Sequence, residues 1–151
     1  MRDSRRVVVD ANVVVKWIVP EDYSEDALKL RDDLLEGVVE VHAPNFLLLE
    51  VANAFRKYCL RGILDAYTAE KALDLLAKCG LSLHEVEPSL ALTSLRLSLD
   101  YGVTVYDAAY IALALNLKTR MYTADGKLLN NEKLKELKTV EDVRRYTRGG
   151  R

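Results

Sequence analysis

Four carboxylate side chains interrupt apolar segments of this sequence, and they are the first indication of chemistry. They are Asp10 after Val7-Val-Val, Glu50 within residues 46–52, Asp107 before Ala108-Ala-Tyr-Ile-Ala, and Asp125 after Met121-Tyr-Thr-Ala. Carboxylates gathered in one cleft repel one another, and their pKa values rise unless a cation neutralises them. Their oxygens suit a hard cation, Mg²⁺ or Mn²⁺, that keeps several waters. Such a site is suited to phosphoryl transfer.

Each acid also has a structural explanation of its own. Asp10 is a candidate helix N-cap, and Glu50 can lie on a solvent-facing stripe of its helix with Asn53 and Lys57. Asp107 in a first turn complements the helix dipole, and Asp125 precedes glycine in a common turn. The joint placement of the four acids is what favours a working site.

The elements that must position these acids alternate between strands and helices. Apolar spacing predicts strands over residues 6–10, 38–43, 81–86, 120–123 and around 138–140. It predicts helices over residues 24–37, 45–61 with Asn45 as cap, from Asp65 or Thr68 to Gly80, 88–101, and from Asp107 onward. This alternation predicts an α/β fold, a three-layer α/β/α arrangement with a mainly parallel central sheet. In such sheets the working site lies outside the carboxyl ends of the strands, where strand order switches. Two of the acids end strands and the other two border the same edge, so we expect one cleft.

Composition limits the kinds of partner. The chain has 151 residues, of which 50% are hydrophobic, and we expect one domain spanning residues 1–151. The formal net charge of −1 excludes binding to nucleic acid through overall basic charge, so an RNA must be held locally. Two basic patches near the chain ends are expected to be solvated; they are Arg2, Arg5 and Arg6, and Arg144, Arg145, Arg148 and Arg151.

Other residue types point away from export, zinc and a nucleophilic triad. No stretch approaches the roughly 18 apolar residues of a membrane span, and the apolar run before Asp10 is short for a signal peptide, so we expect a cytoplasmic protein. Cys59 and Cys79 are predicted to be core thiols, with a disulfide as the alternative. His42 and His84 are predicted to be hydrogen-bonded sheet residues.

Four short segments, in order, resemble the PIN-domain family. They are the valine-rich strand into Asp10 with Asn12 two residues on, Leu49-Glu-Val-Ala-Asn-Ala54, Tyr106-Asp-Ala-Ala-Tyr-Ile-Ala112, and Tyr122-Thr-Ala-Asp125. The resemblance covers residues 7–140, and within the family it is to the toxins of prokaryotic VapBC toxin-antitoxin pairs.

This resemblance implies an Mg²⁺- or Mn²⁺-dependent endoribonuclease with the α/β/α fold. The family's acidic quartet falls on Asp10, Glu50, Asp107 and Asp125, with Asn12 and Thr123 as supporting polar residues. It also implies a homodimer and an antitoxin partner that blocks the acidic groove. We expect the dimer surface on the helices of residues 47–58 and 68–76.

The expected mechanism is hydrolysis of single-stranded RNA, with Asp10, Asp107 and Asp125 holding the metal directly or through water and Glu50 orienting or deprotonating the attacking water. One alternative is a PIN-like module that binds RNA or protein without cutting. Another is a haloacid-dehalogenase-like phosphatase, which needs an aspartate two residues after the first acid, where this chain has Asn12.

Overall fold

Five parallel strands form the centre of the computed structural model, which describes residues 5–149. The strands are β1 (Arg6–Val9), β2 (Glu40–Pro44), β3 (Ser82–His84), β4 (Met121–Thr123) and β5 (Val140–Asp142). The helices are α1 (Ala11–Val15), α2 (Ser24–Leu35), α3 (Leu47–Leu60), α4 (Ala66–Lys78), α5 (Pro88–Tyr101), α6 (Val105–Asn116), α7 (Gly126–Leu129) and α8 (Glu132–Lys135). A 3₁₀ turn, Val143–Arg145, follows β5. The predicted three-layer α/β/α fold with a parallel sheet is confirmed.

Strand order places the chain's first strand in the middle of the sheet. The order is β3-β2-β1-β4-β5, and Val9 of β1 is in register with Tyr122 of β4. The chain first builds outward from β1 through β2 to β3 and then returns to the other side of β1. The switch in strand order therefore lies between β1 and β4, whose carboxyl ends lead into Asp10 and Asp125.

Helix α6 has the longest run of consecutive buried residues among the described helices. Its residues 108–114 are all buried, and it contacts β1, β2 and β4. A helix that is apolar all round needs such cover. It begins two residues before the predicted start at Asp107, because the Thr104 hydroxyl accepts a hydrogen bond from the Asp107 amide and acts as the N-cap.

The sequence prediction gave no bounds for helix α1, although Asp10 was a candidate helix cap, and α3 begins later than predicted. Three of the five α1 residues are valines, which favour strands, but the Asp10 carboxylate caps the helix and its valines are buried. Asn45 does not cap α3; its backbone N–H instead bonds the His84 carbonyl at 2.8 Å, next to the β2–β3 ladder. Phe46 holds the cap position without a side-chain bond.

The described arginines of the C-terminal patch are paired with acids rather than simply solvated. Arg144 pairs with Asp142 at 2.5 Å, and Arg145 lies 3.8 Å from Glu141. Arg148 lies 2.7 Å from Asp33 of α2, tying the end of the described chain to that helix. Arg2 and Arg151 lie outside the described residues.

The cysteines and histidines mostly follow expectation. Cys59 and Cys79 are free and only partly buried, so neither is a fully buried core thiol and they form no disulfide. His42 and His84 are bonded sheet residues, as predicted: His42 Nδ1 lies 2.7 Å from His84 Nε2, and its Nε2 lies 3.0 Å from a Glu40 carboxylate oxygen. No helix among residues 5–149 is long and apolar enough to cross a membrane.

Candidate metal and nuclease site

The loops after β1 and β4 are joined by a small hydrogen-bond network. The Thr123 hydroxyl donates to Asp10 at 2.9 Å and accepts from the Asp125 amide at 3.0 Å. The Asn12 side-chain amide donates to Asp10 at 3.1 Å, and its carbonyl oxygen accepts from the Ala124 amide at 3.1 Å. Thr123 and Asn12 thus hold the two loops, and with them Asp10 and Asp125, in a fixed relation.

Among residues 5–149, the buried Asp10 carboxylate has only neutral hydrogen-bond donors. Its side chain is 6% exposed, and its partners are the hydroxyl of Thr123, the amide of Asn12 and the backbone N–H of Ala11. Burial, followed by the charge of Asp107, raises the pKa of Asp10 from 3.8 to about 7. The neutral donors are too weak to offset this cost, so ionised Asp10 is stabilised by any cation that enters the site.

Glu50 enters the site from the first turn of α3. The Tyr110 hydroxyl of α6, which is fully buried, donates to its Oε1 at 2.6 Å. Burial and this bond to Glu50 raise the pKa of the Tyr110 phenol, so Tyr110 remains a donor. Burial raises the pKa of Glu50, with a further contribution from the charge of Asp107, while the Tyr110 bond opposes the rise.

Asp107 completes the group from the first turn of α6. Burial raises the pKa of Asp107, and the charge of Asp125 adds to the rise, whereas Lys127 of α7 opposes it. Asp125 is the N-cap of α7 and accepts from the Lys127 amide at 2.9 Å. All four predicted acids line one open pocket of about 290 Å³, together with Asn12, Asn53 and Lys57.

The donor set fits a hard divalent cation that keeps much of its water. All four acids offer oxygen, which Mg²⁺ and Mn²⁺ prefer. Within residues 5–149, no three His, Cys, Asp or Glu side chains lie close enough to hold one ion by direct bonds. An Mg²⁺ ion commonly binds one or two carboxylates directly and the rest through water, which is compatible with this spacing. The raised pKa values of Asp10, Glu50 and Asp107 give the physical reason for a cation here.

Three residues of the site were not predicted from sequence. Tyr110 bonds Glu50, Lys57 lines the pocket, and Lys127 lies near Asp107. Tyr110 stands one helical turn after Asp107 in the motif already singled out, so its spacing could have indicated it. Lys57 lies on the polar stripe of Glu50 and Asn53. Asn53 and Lys57 are exposed to solvent, and the same stripe lines the open pocket.

A central parallel sheet with an acid-lined pocket at its switch point defines an α/β/α protein with a candidate metal site. The PIN domain family model matches residues 7–134, and the chain belongs to that family.

Relatives of known name share most of the chain. It is 35% identical over 125 residues to Ribonuclease VapC3 of Pyrobaculum aerophilum, covering 82% of this chain and 92% of the relative. It is 35% identical over 121 residues to Ribonuclease VapC1 of Mycobacterium tuberculosis, covering 80% and 86%. The crystal structure of PAE2754 from Pyrobaculum aerophilum superposes with a TM-score of 0.67 at 22% identity, covering 94% of this chain and 86% of that one, and so supports the fold.

Proposed function

We propose that this protein is a divalent-metal-dependent endoribonuclease that hydrolyses single-stranded RNA as the toxin of a toxin-antitoxin pair. The observation that carries the proposal is the pocket that gathers Asp10, Glu50, Asp107 and Asp125 in a chain of the PIN family. Two relatives are named ribonucleases VapC. PIN-domain ribonucleases in general need divalent metal ions, which agrees with the excess of carboxylates in this pocket.

Asp10, Asp107 and Asp125 are the residues that would hold the ion, with Mg²⁺ or Mn²⁺ as the expected metal. When bound, such an ion lowers the pKa of an attached water and offsets charge on the scissile phosphate. Thr123 and Asn12 keep Asp10 and Asp125 oriented through the network joining the β1 and β4 loops.

Glu50 is assigned the proton transfer. Its raised pKa brings its basicity closer to neutral pH, and Tyr110 fixes one carboxylate oxygen and leaves the other for the attacking water. Glu50 accepts a proton from that water, the water oxygen bonds to phosphorus, the bond from phosphorus to the 3′ oxygen breaks, and the departing 3′ oxygen takes up a proton from solvent. The products are a 5′-phosphate and a 3′-hydroxyl.

Metal dependence and end groups test the proposal. We expect purified protein to cut pooled single-stranded RNA with Mn²⁺ or Mg²⁺ and not with EDTA. Asp10→Asn should lose cleavage by about a thousandfold or more, because a metal contributes several kcal/mol to such transition states. Asp65→Asn, at the exposed cap of α4, is the matched control and should cut normally. Cyclic phosphate ends, or cleavage that persists in EDTA, would refute the mechanism.

A single catalytic domain, a homodimer, a VapB-like antitoxin and a cytoplasmic site of action are further parts of the proposal. The expected dimer surface on α3 and α4 exposes Leu60 and Leu75, while α5 exposes a separate stripe containing Leu95 and Leu99. Light scattering on Leu75→Glu and on Leu95→Glu distinguishes the two surfaces: only the variant at the true interface should become monomeric.

A further inference from the structure

Three pockets adjoin along one side of α3. The acid pocket shares Glu50 and Asn53 with a pocket that also contains Phe46. On its other side it shares Lys57 with a pocket that continues to Arg61. These five positions recur every three or four residues, so they follow one face of the helix. At 1.5 Å per residue the row is about 22 Å long, enough for several nucleotides of an extended strand.

The pocket at the N-terminal end of the row presents an aromatic surface beside Glu50. Tyr106 is 62% exposed, and its ring meets the Phe46 ring edge-to-face with centroids 5.5 Å apart. Phe46 is held in turn against Tyr110 at the same centroid distance. Exposed rings fixed in this way are stacking platforms for unpaired bases. The side-chain amide of Asn53, which makes no hydrogen bond within residues 5–149, is placed to bond a base edge.

The other end of the row carries two cations that form no ion pair within residues 5–149; Glu21, which lines the same pocket, is paired with Lys16 at 3.0 Å. Within the described part of the chain, neither Lys57 nor Arg61 has an ion-pair partner, whereas Lys78 and Arg144 have carboxylates 2.8 and 2.5 Å away. The Arg61 guanidinium lies 5.8 Å over the Tyr58 ring, which orients it without neutralising it. In a chain of net charge −1, such a local pair of cations suits the phosphates of a nucleic acid.

We propose that single-stranded RNA binds along this face of α3, with one nucleobase stacked on Tyr106, a neighbouring phosphate at Lys57 and Arg61, and the scissile phosphate over the acids between them. The inference rests on the proposed ribonuclease function and assigns its substrate-positioning residues. The combination of an aromatic platform, a free amide and unpaired cations favours RNA over a peptide as the occupant.

Binding separated from cleavage tests the proposal. Affinity for a fluorescent single-stranded RNA is measured with Mg²⁺ in a Glu50→Gln background, which lacks the proposed base. We expect Tyr106→Ala to weaken binding roughly 5- to 100-fold, as loss of one stacked base does. Lys57→Ala and Arg61→Ala should each reduce the slope of log affinity against log salt by about 0.7.

A cation and an exposed tyrosine on α4 provide matched controls. Tyr67 is 70% exposed, and Lys71 Nζ lies 5.3 Å from its ring centroid, but neither residue lines the three pockets. Tyr67→Ala and Lys71→Ala should bind RNA as the background protein does. A loss of affinity in these controls equal to that of Tyr106→Ala and Lys57→Ala would overturn the proposal.

Abasic substitutions test stacking itself. One RNA is made with a single abasic nucleotide at each position near the cut. At the stacked position, the abasic nucleotide should abolish the difference between the parent protein and Tyr106→Ala, while other positions preserve it. An equal effect of Tyr106→Ala on every abasic RNA would overturn the stacking assignment.

The outcomes also separate this inference from the proposed function. RNA that binds with dependence on Tyr106 and Lys57, but that no metal allows the wild type to cut, refutes the nuclease and keeps the binding face. Metal-dependent cleavage with unchanged KM in both variants keeps the nuclease and overturns the RNA path, leaving this face to a protein partner. Absence of RNA binding overturns both.

Discussion

Two buried aspartates of this protein are held in opposite ways. Asp33 of α2 is 1% exposed; the Arg148 guanidinium lies 2.7 Å from its Oδ1, and the Tyr146 hydroxyl and Gly149 amide donate to its Oδ2. Asp10 is 6% exposed and, within residues 5–149, has only neutral donors, with acids as its charged neighbours. Within the described residues, Asp33 is therefore paired with a cation of the protein, whereas Asp10 is not.

We interpret this difference as one between a carboxylate that stabilises the fold and one that, in the proposed function, is kept for a metal ion. A buried charge needs a partner, and removing that partner is costly. Asp33 joins α2 to the end of the described chain, so its partner is part of the protein. Asp10 lies at the switch point of the sheet among other acids, where an external cation is the natural partner.

The largest effect on stability is expected from breaking the internal pair. Asp33→Asn should lower the free energy of unfolding by about 2 to 3 kcal/mol, because Arg148 loses its buried partner and keeps only the more exposed Asp32 and Glu36, and the Tyr146 bond is weakened. Urea denaturation measures this change. Asp32→Asn, the more exposed neighbour, should cost well under about 1 kcal/mol. Equal losses in the two variants would remove the distinction made for Asp33.

Without metal, Asp10→Asn should change the free energy of unfolding in the opposite direction to Asp33→Asn. The folded-state pKa of about 7 lies above the reference of 3.8, so the folded protein binds more protons between these values. Wild-type stability therefore falls, relative to Asp10→Asn, as pH rises from about 4 to about 7. Above that range, with EDTA present, we expect Asp10→Asn to be more stable by roughly 1 to 3 kcal/mol.

Urea denaturation across this pH range, with and without Mg²⁺, measures the effect. Mg²⁺ should raise the unfolding midpoint of the wild type and leave that of Asp10→Asn nearly unchanged, since the metal binds only the folded site. If Asp10→Asn is less stable than the wild type in EDTA at high pH, the carboxylate is structural and the comparison with Asp33 fails.

The acids at the pocket were predictable from sequence, whereas the role of Asp33 was not. Asp10 and Glu50 stand out because they interrupt apolar runs, and the alternation of elements predicts the edge where they meet. Asp33 follows Asp32 on an amphipathic helix and looks like an ordinary surface acid. Its partners lie more than 100 residues further along the chain, and no local pattern reports a contact at that separation.

The errors of the sequence prediction at α1 and Arg148 also arise from contacts between distant parts of the chain. Helix α1 was missed because its valines favour a strand locally, while its cap and its burial are set by the tertiary fold. The charge on Arg148 was visible in the sequence, but its pairing with α2 required the path of the chain. The sequence therefore predicted that the four acids meet at one edge of the sheet, and the structure added the contacts that stabilise or support them.

Glu50 resembles Asp10 more than Asp33, because its carboxylate accepts a hydrogen bond from a neutral donor, the Tyr110 hydroxyl. Tyr110→Phe removes that donor, and the pKa of Glu50 should rise further, since the hydrogen bond lowers it. The acid limb of the kcat profile should then move to higher pH, with a loss of about tenfold in kcat at neutral pH. Tyr122→Phe, also buried but packed against Tyr146, is a matched control. A uniform drop in kcat without movement of the profile would indicate a structural role for Tyr110 only.

The smallest effect is expected at the histidine pair, where two imidazole rings share a hydrogen bond instead of an acid meeting a cation. Burial, then the charge of His42, lowers the pKa of His84 below 6.5, so the unfolded chain binds the proton more readily. Stability is therefore lost as pH falls through the region just below 6.5, and His84→Gln should reduce this loss. Urea midpoints near pH 7.5 and near pH 5 measure the slope.

The Glu40 carboxylate, 3.0 Å from His42, partly compensates a protonated pair, which is why this slope should be shallower than the one expected at Asp10. A slope as steep as that of Asp10 would mean that β2 and β3 hold a buried charge that the structure does not account for.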